Sequence, residues 1–163
     1  MKNKRLTYTV EEAKKKLEYY CSYQDRCHTE VEKKLYEMNM IPLAQEAITL
    51  HLIENNFLNE ERFSRSFARG KFRIKKWGKQ RIIRELKQRN VSKYNIEIAL
   101  KEIDQEEYLK VLYELTQKKW DTILERNQFK KRKKITDFLL RQGFESDLIY
   151  IEINQKMIGE EPK

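Results

Sequence analysis

The chain has 163 residues, 39% hydrophobic and 37% charged, with 35 Lys and Arg against 26 Asp and Glu for a net charge of +9. Four Gly and two Pro are too few for a turn-rich β fold, and no apolar run reaches the roughly 18 residues that a membrane-spanning helix needs. Cys21 and Cys27 make no disulfide framework, and the basic start Met1-Lys-Asn-Lys-Arg-Leu leads into no apolar segment, so a cytoplasmic chain with reduced, semi-buried thiols is expected.

Helical periodicity runs from end to end. Thr9 is an N-cap with Glu12 three residues on, a capping box, and the first helix carries Ala13, Leu17 and Tyr20. A second helix begins near Thr29 with Val31, Leu35 and Met38 on one face. Pro42 suits the first turn of a third, which carries Ala47, Ile48, Leu52 and Ile53 and is ended by Asn55, Asn56 and Phe57. Asn59 caps a fourth helix with an apolar face of Phe63, Phe67 and Ile74. Gly78 permits a sharp turn into a fifth, with Ile82, Ile83 and Leu86. Ser92 caps a sixth, with Ile96, Ala99, Leu100 and Ile103. A long seventh runs from Glu106 to Leu124 through Leu109, Leu112, Tyr113, Leu115, Thr116 and Trp120. The eighth carries Ile135, Phe138 and Leu139 and stops at Gly143; the ninth carries Leu148, Ile149 and Ile153. No segment alternates with a period of two.

Leu35, Leu86 and Leu139 lie 51 and 53 residues apart, and each is followed five residues later by an apolar residue: Met40, Val91 and Phe144. A charged half-helix precedes each, and a short turn and an apolar helix follow. The expected fold is therefore all-α: three tandem three-helix repeats in an elongated, curved stack. The expected divisions are a basic N-terminal tail over 1–8, repeats over 9–57, 58–104 and 105–155, and a C-terminal tail over 156–163. Units this small bury little surface alone and gain by stacking.

The charge is concentrated. Between Arg62 and Lys93 stand thirteen cations against a single acid, Glu85. Such a field draws a polyanion, either a phosphate backbone or an acidic protein groove. Arg65, Arg69 and Arg73 recur every fourth residue, with Arg62 alongside, and form a stripe facing away from Phe63, Phe67 and Ile74. A solvated helix face would mix signs; here the acids are missing, and arginine's planar fork suits phosphates and carboxylates. Lys71, Lys75, Lys76, Lys79, Arg81 and Arg84 extend the basic stretch. Phe72 and Trp77 interleave with it and have the chemistry to stack on bases, but aromatics at a helix junction are more often core, and Trp77 is assigned there. A second basic run, Lys130, Lys131, Arg132, Lys133 and Lys134, points all round its helix, so its members do not all reach one partner.

Catalytic signals are poor. His28 and His51 have no partner at metal-ligand spacing, and Cys21 and Cys27 match no zinc pattern. Neither a phosphate-binding glycine loop nor a nucleophile elbow is present. The acids Asp104, Glu106 and Glu107, and the pair Glu60 and Glu61, have the chemistry to hold Mg²⁺; the simpler reading is helix-start acids favoured by the dipole. No enzyme, cofactor or metal is expected.

The stretch from Leu58 through Phe63, Phe67, Ala68 and Arg69, continuing through Gly78, Ile82, Glu85, Leu86 and Val91, resembles the RecX family, regulatory proteins of the RecA recombinase. Asn59 fits the family pattern too. Glu60 stands where Asp is usual, Ser64 where Ala is usual, and Asn90 where Gly is usual; Asn tolerates a left-handed C-cap. The resemblance covers about residues 9–155 and is strongest over 57–91. It implies a non-catalytic modulator that binds RecA filaments along their groove and mostly inhibits strand exchange, ATP hydrolysis and the co-protease activity of the SOS response. The implied partners are the RecA filament and, for some members, DNA. The alternative is a sequence-independent single- or double-stranded DNA-binding protein. A monomer is expected, and the ten central cations named above, with the five of the second run, are the candidate RecA- or DNA-binding residues.

Overall fold

The computed structural model describes residues 7–160, and among the described residues all regular structure is helical. The nine helices are α1 (Val10–Tyr23), α2 (His28–Glu37), α3 (Pro42–Glu54), α4 (Glu60–Arg73), α5 (Lys79–Gln88), α6 (Lys93–Leu100), α7 (Gln105–Thr122), α8 (Gln128–Gln142) and α9 (Ser146–Glu160). Residues 1–6 of the expected N-terminal tail and 161–163 of the C-terminal one lie outside the described residues. Helix α9 runs on through 156–160, where a tail was expected. The chain falls into two compact units, Met1–Ser66 with Leu86–Ile98, and Phe67–Glu85 with Ala99–Lys163.

In the first unit α1, α2 and α3 pack around Ala13, Leu17, Cys21, Val31, Leu35, Met38, Ile48, Leu52 and Leu58. The expected capping box is formed: the Thr9 N–H donates to Glu12 Oε2 at 2.9 Å, and the Glu12 N–H donates to Thr9 Oγ1 at 3.1 Å. Helix α2 starts one residue before Thr29, where the Cys27 N–H is taken by the Glu30 carboxylate at 2.9 Å. Helix α3 buries Ala44, Ile48 and Leu52, whereas Ala47 and Ile53 are exposed. It is apolar nearly all round, so periodicity alone does not identify its inner face. Asn59 caps α4 as expected, accepting from the Arg62 N–H at 2.9 Å. Buried Ser64 satisfies its hydroxyl on the Glu60 carbonyl at 2.7 Å.

In the second unit α7, α8 and α9 pack on one another. Their core holds Val111, Leu112, Trp120, Ile135, Leu139, Phe144, Ile149 and Ile153. Phe72, Tyr108 and Phe144 form an aromatic stack with successive ring-centre distances of 5.7 and 5.2 Å. The Tyr108 hydroxyl accepts from the Lys79 N–H at 3.0 Å and donates to Glu145 at 2.6 Å, and burial raises its pKa. Helix α7 thus turns Tyr108 inward and leaves the expected Leu109 38% exposed. It ends at Thr122, and Leu124 lies beyond it in solvent. Ile74, assigned to the apolar face of α4, is 77% exposed, because the helix has ended at Arg73; Ala68 and Phe72 take the inner positions.

One turn closes α2, α5 and α8 alike, and it also closes α3, where Asn56 has φ 59° and the Phe57 N–H donates to the Leu52 carbonyl at 2.8 Å. Asn39, Asn90 and Gly143 each carry positive φ, at 58°, 57° and 100°. The next residue in each case, Met40, Val91 or Phe144, sends its N–H back to the carbonyl of Leu35, Leu86 or Leu139, at 3.1 Å every time. These left-handed helix ends satisfy carbonyls that the helix leaves open, and those of α2, α5 and α8 fall in the register read from the three leucines.

Candidate functional site

The central stripe does not stand as four unopposed arginines. In the first unit Arg62 Nε donates to Asp25 Oδ1 at 2.7 Å, and its terminal nitrogen reaches the carbonyls of Asn56 and Phe57 at 3.0 and 3.2 Å. It ties the start of α4 to the end of α1 and the close of α3. Arg65 pairs with Glu61, one turn back, at 2.9 Å. In the second unit Arg69 pairs with Glu102 at 3.2 Å. The expectation that acids are missing is therefore corrected. Glu61 sits one residue before the cationic stretch, and Asp25 and Glu102 arrive through the fold.

The acid clusters serve local structure. Asp104 accepts from the Glu107 N–H at 3.0 Å as the cap of α7. Glu60 accepts from Asn95 Nδ2 at 2.5 Å and faces the Ser92 N–H at 3.4 Å. Among the described residues no three His, Cys, Asp or Glu side chains are grouped to hold a metal ion, and no helix is long and apolar enough to cross a membrane.

The second unit builds its cationic surface on one backbone contact. A Cβ on Gly78 would lie 2.3 Å from the Gly143 carbonyl carbon, so the two backbone segments meet there with no room for a side chain. Hydrogen bonds lock the junction: the Gly78 N–H donates to the Gln142 carbonyl at 2.7 Å, and the Gln80 N–H to the Gly143 carbonyl at 2.9 Å. Gly78 is thus required for close approach, and the left-handed residue of this turn is Lys76, at φ 58°. The contact sets the α4–α5 turn and the first turns of α5 against the C-terminal end of α8.

Trp77 sits inside this junction, half-buried. Its ring has the Lys71 ammonium 5.0 Å from its centre, the Arg81 guanidinium carbon at 4.1 Å, and the Phe67 ring at 6.2 Å, edge-on. The assignment of Trp77 to the core is corrected: it is a half-buried plate against which two cations pack, an attraction between positive charge and the negative ring face. Phe72, by contrast, is core. Arg81 also donates to Gln142 Oε1 at 3.2 Å, and Lys79 reaches Gln105 Oε1 at 3.0 Å while lying 4.6 Å from the Tyr108 ring centre.

Beside the junction an open groove of about 610 Å³ is lined by Arg81, Arg84, Glu85, Phe138, Leu140, Arg141 and Gln142. Arg84 and Arg141 are exposed. Arg73, Lys75 and Lys76 are exposed in and beside the turn, and the Lys75 carbonyl accepts from Gln142 Nε2 at 3.4 Å. Among the described residues the side chains of Arg73, Lys75, Lys76 and Arg84 make no ion pair. Of the expected binding residues, the fold therefore gathers Lys75, Lys76, Arg81 and Arg84 about the α8 end, with Arg73 at the end of α4.

The second basic run goes elsewhere. Lys131 lies 4.5 Å from the Trp120 ring centre, Arg132 lies 5.3 Å from that of Tyr150, and Lys134 pairs with Glu125 at 3.1 Å. Lys130 and Lys133 are exposed. All five precede Arg141 by seven residues or more on α8, roughly 10 Å or more along the axis. Arg141 and Gln142 were not among the expected site residues; both follow the run of cations and come into view only through the Gly78–Gly143 contact.

The sequence model of the second three-helix domain of RecX matches residues 59–100, and that of the third matches residues 105–151. The chain belongs to the RecX family. It is 37% identical over 90 residues to the regulatory protein RecX of Lactobacillus gasseri, covering 55% of this chain and 33% of that protein. It is 33% identical over 129 residues to the regulatory protein RecX of Lactococcus lactis subsp. cremoris, covering 77% of this chain and 48% of that one. The chain thus spans a third to a half of the length of these curated relatives. A crystal structure of RecX from Lactobacillus salivarius matches with a TM-score of 0.79 over 91% of this chain and 97% of that one, at 23% identity, which establishes the shared all-α repeat fold.

Proposed function

We propose that this RecX-family chain is a non-catalytic, cytoplasmic regulator that binds RecA filaments and lowers their recombinase, ATPase and co-protease activities in DNA repair and the SOS response. The observation that carries the proposal is the groove of the second unit, where Arg84 and Arg141 stand exposed, with Lys75 and Lys76 exposed in the adjoining turn, while Arg62, Arg65 and Arg69 of α4 are paired with acids of the chain. Exposed guanidinium groups donate two-pronged hydrogen bonds to carboxylates, which suits an acidic protein groove. Lys71 and Arg81 pack on the Trp77 ring beside the groove, so this surface presents phosphate and carboxylate partners with cations and offers bases less open ring to stack on. The proposed binding set is accordingly Arg73, Lys75, Lys76, Arg81, Arg84 and Arg141.

The test is ATP hydrolysis by a preassembled RecA filament on single-stranded DNA, with the chain titrated in and excess free DNA added as a control. Inhibition below one molecule per RecA protomer that survives the added DNA is the expected result. Inhibition erased by added DNA would instead make the chain a competitor for nucleic acid.

A further inference from the structure

The first unit carries a second cationic surface of different chemistry. On α1, Lys15, Tyr19 and Tyr23 follow one another at four-residue spacing, with Lys16 and Tyr20 in the adjoining row. Together with Arg26 and Lys34 they line a groove of about 420 Å³. Tyr19 and Tyr23 are 72% and 73% exposed, and their ring centres lie 6.5 Å apart at an angle of 31°, so they form a continuous aromatic ledge. Tyr20, behind them, is half-buried, with the Arg26 guanidinium carbon 3.7 Å and the Lys34 ammonium 5.5 Å from its ring centre. Five acids of α1, α2 and the turn between them have partners within the chain. Glu11 pairs with Lys14, Glu12 closes the α1 cap, Glu18 holds His51 at 2.6 Å, Asp25 holds Arg62 and Glu30 takes the Cys27 N–H. Of the groove's cations, Lys15 and Lys16 are exposed, Lys16 lying 5.2 Å from the Tyr8 ring centre, and Arg26 Nε donates to the Tyr20 carbonyl at 3.2 Å.

We infer that this groove binds single-stranded nucleic acid, with bases stacked on Tyr19 and Tyr23 and phosphates held by Lys15, Lys16, Arg26 and Lys34. Exposed planar rings interleaved with lysine and arginine are the combination that holds a strand without reading its sequence. Lys15 and Lys16 stand one turn before Tyr19 and Tyr20, and Arg26 and Lys34 pack on Tyr20, so the cations are spread along the groove, which fits a passing backbone better than the single phosphate cluster of a free nucleotide. From Lys15 to Tyr23 the ledge follows roughly 12 Å of helix. This site is independent of the filament proposal, since none of its residues belongs to the groove of the second unit.

The experiment is fluorescence anisotropy of the full chain with a labelled oligothymidylate of roughly 12 nucleotides. Tyr19→Ala with Tyr23→Ala should weaken binding about tenfold or more, with helicity unchanged because both rings are exposed. Lys15→Glu with Lys16→Glu should weaken it and flatten its salt dependence. In an Arg84→Glu, Arg141→Glu background the tyrosine effect should persist. Equal affinity of the parent and the tyrosine variant would overturn the inference. So would displacement of the probe by inorganic polyphosphate as readily as by unlabelled oligothymidylate, or by ATP at equal nucleotide concentration.

Discussion

Gly78 and Gly143 meet backbone to backbone, and a Cβ on Gly78 would come within 2.3 Å of the Gly143 carbonyl carbon. That contact brings the basic α4–α5 turn to the end of α8, and the groove follows from it. Gly78→Ala has to push two hydrogen-bonded backbones apart, so it should cost roughly 3 kcal/mol of stability, at the upper end for overpacking. Urea denaturation measures this; a native midpoint would show that the junction gives way freely.

Arg62 and Arg73 belong to one stripe by spacing but differ in role. Arg62 is charge-paired to Asp25 and donates to two carbonyls at the end of α3. Arg62→Ala should lower stability by about 1.5–3 kcal/mol, the range for hydrogen bonds to charged groups. Arg73→Ala should leave stability within about 0.5 kcal/mol, as expected for an exposed side chain. Equal denaturation midpoints for the two variants would refute the distinction.

Trp77 is half-buried, with two cations packed on its ring, so its removal should cost less than removing a core tryptophan. Trp77→Ala should destabilise by about 1–2 kcal/mol, below the roughly 3–5 kcal/mol of a buried site. Trp77→Phe should recover part of the loss by restoring a ring for Arg81. A loss of the full core magnitude would place the ring inside after all.

Burial pushes the Cys21 thiol up to about 11 and raises that of Cys27, from an ordinary 9.0. The fold favours the neutral thiols. Their contribution to stability is complete below pH 9 and is lost as pH rises from 9 towards 11, where the unfolded chain ionises first. Between pH 8 and pH 10 stability should fall by about 1–2 kcal/mol. Replacing both cysteines by alanine should flatten that segment of the profile, read by urea denaturation at each pH. A fall of the same size in the double variant would assign it to other groups.

What was legible in the sequence was local. The Thr9 and Glu12 box, the Asn59 and Ser92 caps, the left-handed Asn90 and the helix stop at Gly143 each depend on neighbours within a few residues, and all stand in the structure. The three leucines set the repeat register for the same reason. Partners brought from far along the chain were not legible. Asp25 is 37 residues from Arg62, and Gly143 lies against Gly78 only after folding, so charge counted along the sequence overstated the free arginines and gave no reason to place Arg141 in the site. On α1, Tyr20 stood out for the apolar row, whereas its exposed neighbours Tyr19 and Tyr23 break no pattern and drew no assignment.

The most direct measurement is the inhibition of filament ATP hydrolysis by Arg84→Glu with Arg141→Glu, set beside the parent chain and beside Lys130→Glu with Lys133→Glu. Both variants change exposed cations, so each should keep the parent's helicity and melting temperature. The groove variant is expected to lose inhibition at least tenfold in concentration, while the α8 variant stays within about twofold of the parent. Inhibition unchanged in the groove variant would contradict the assignment of the filament contact to the second unit's groove.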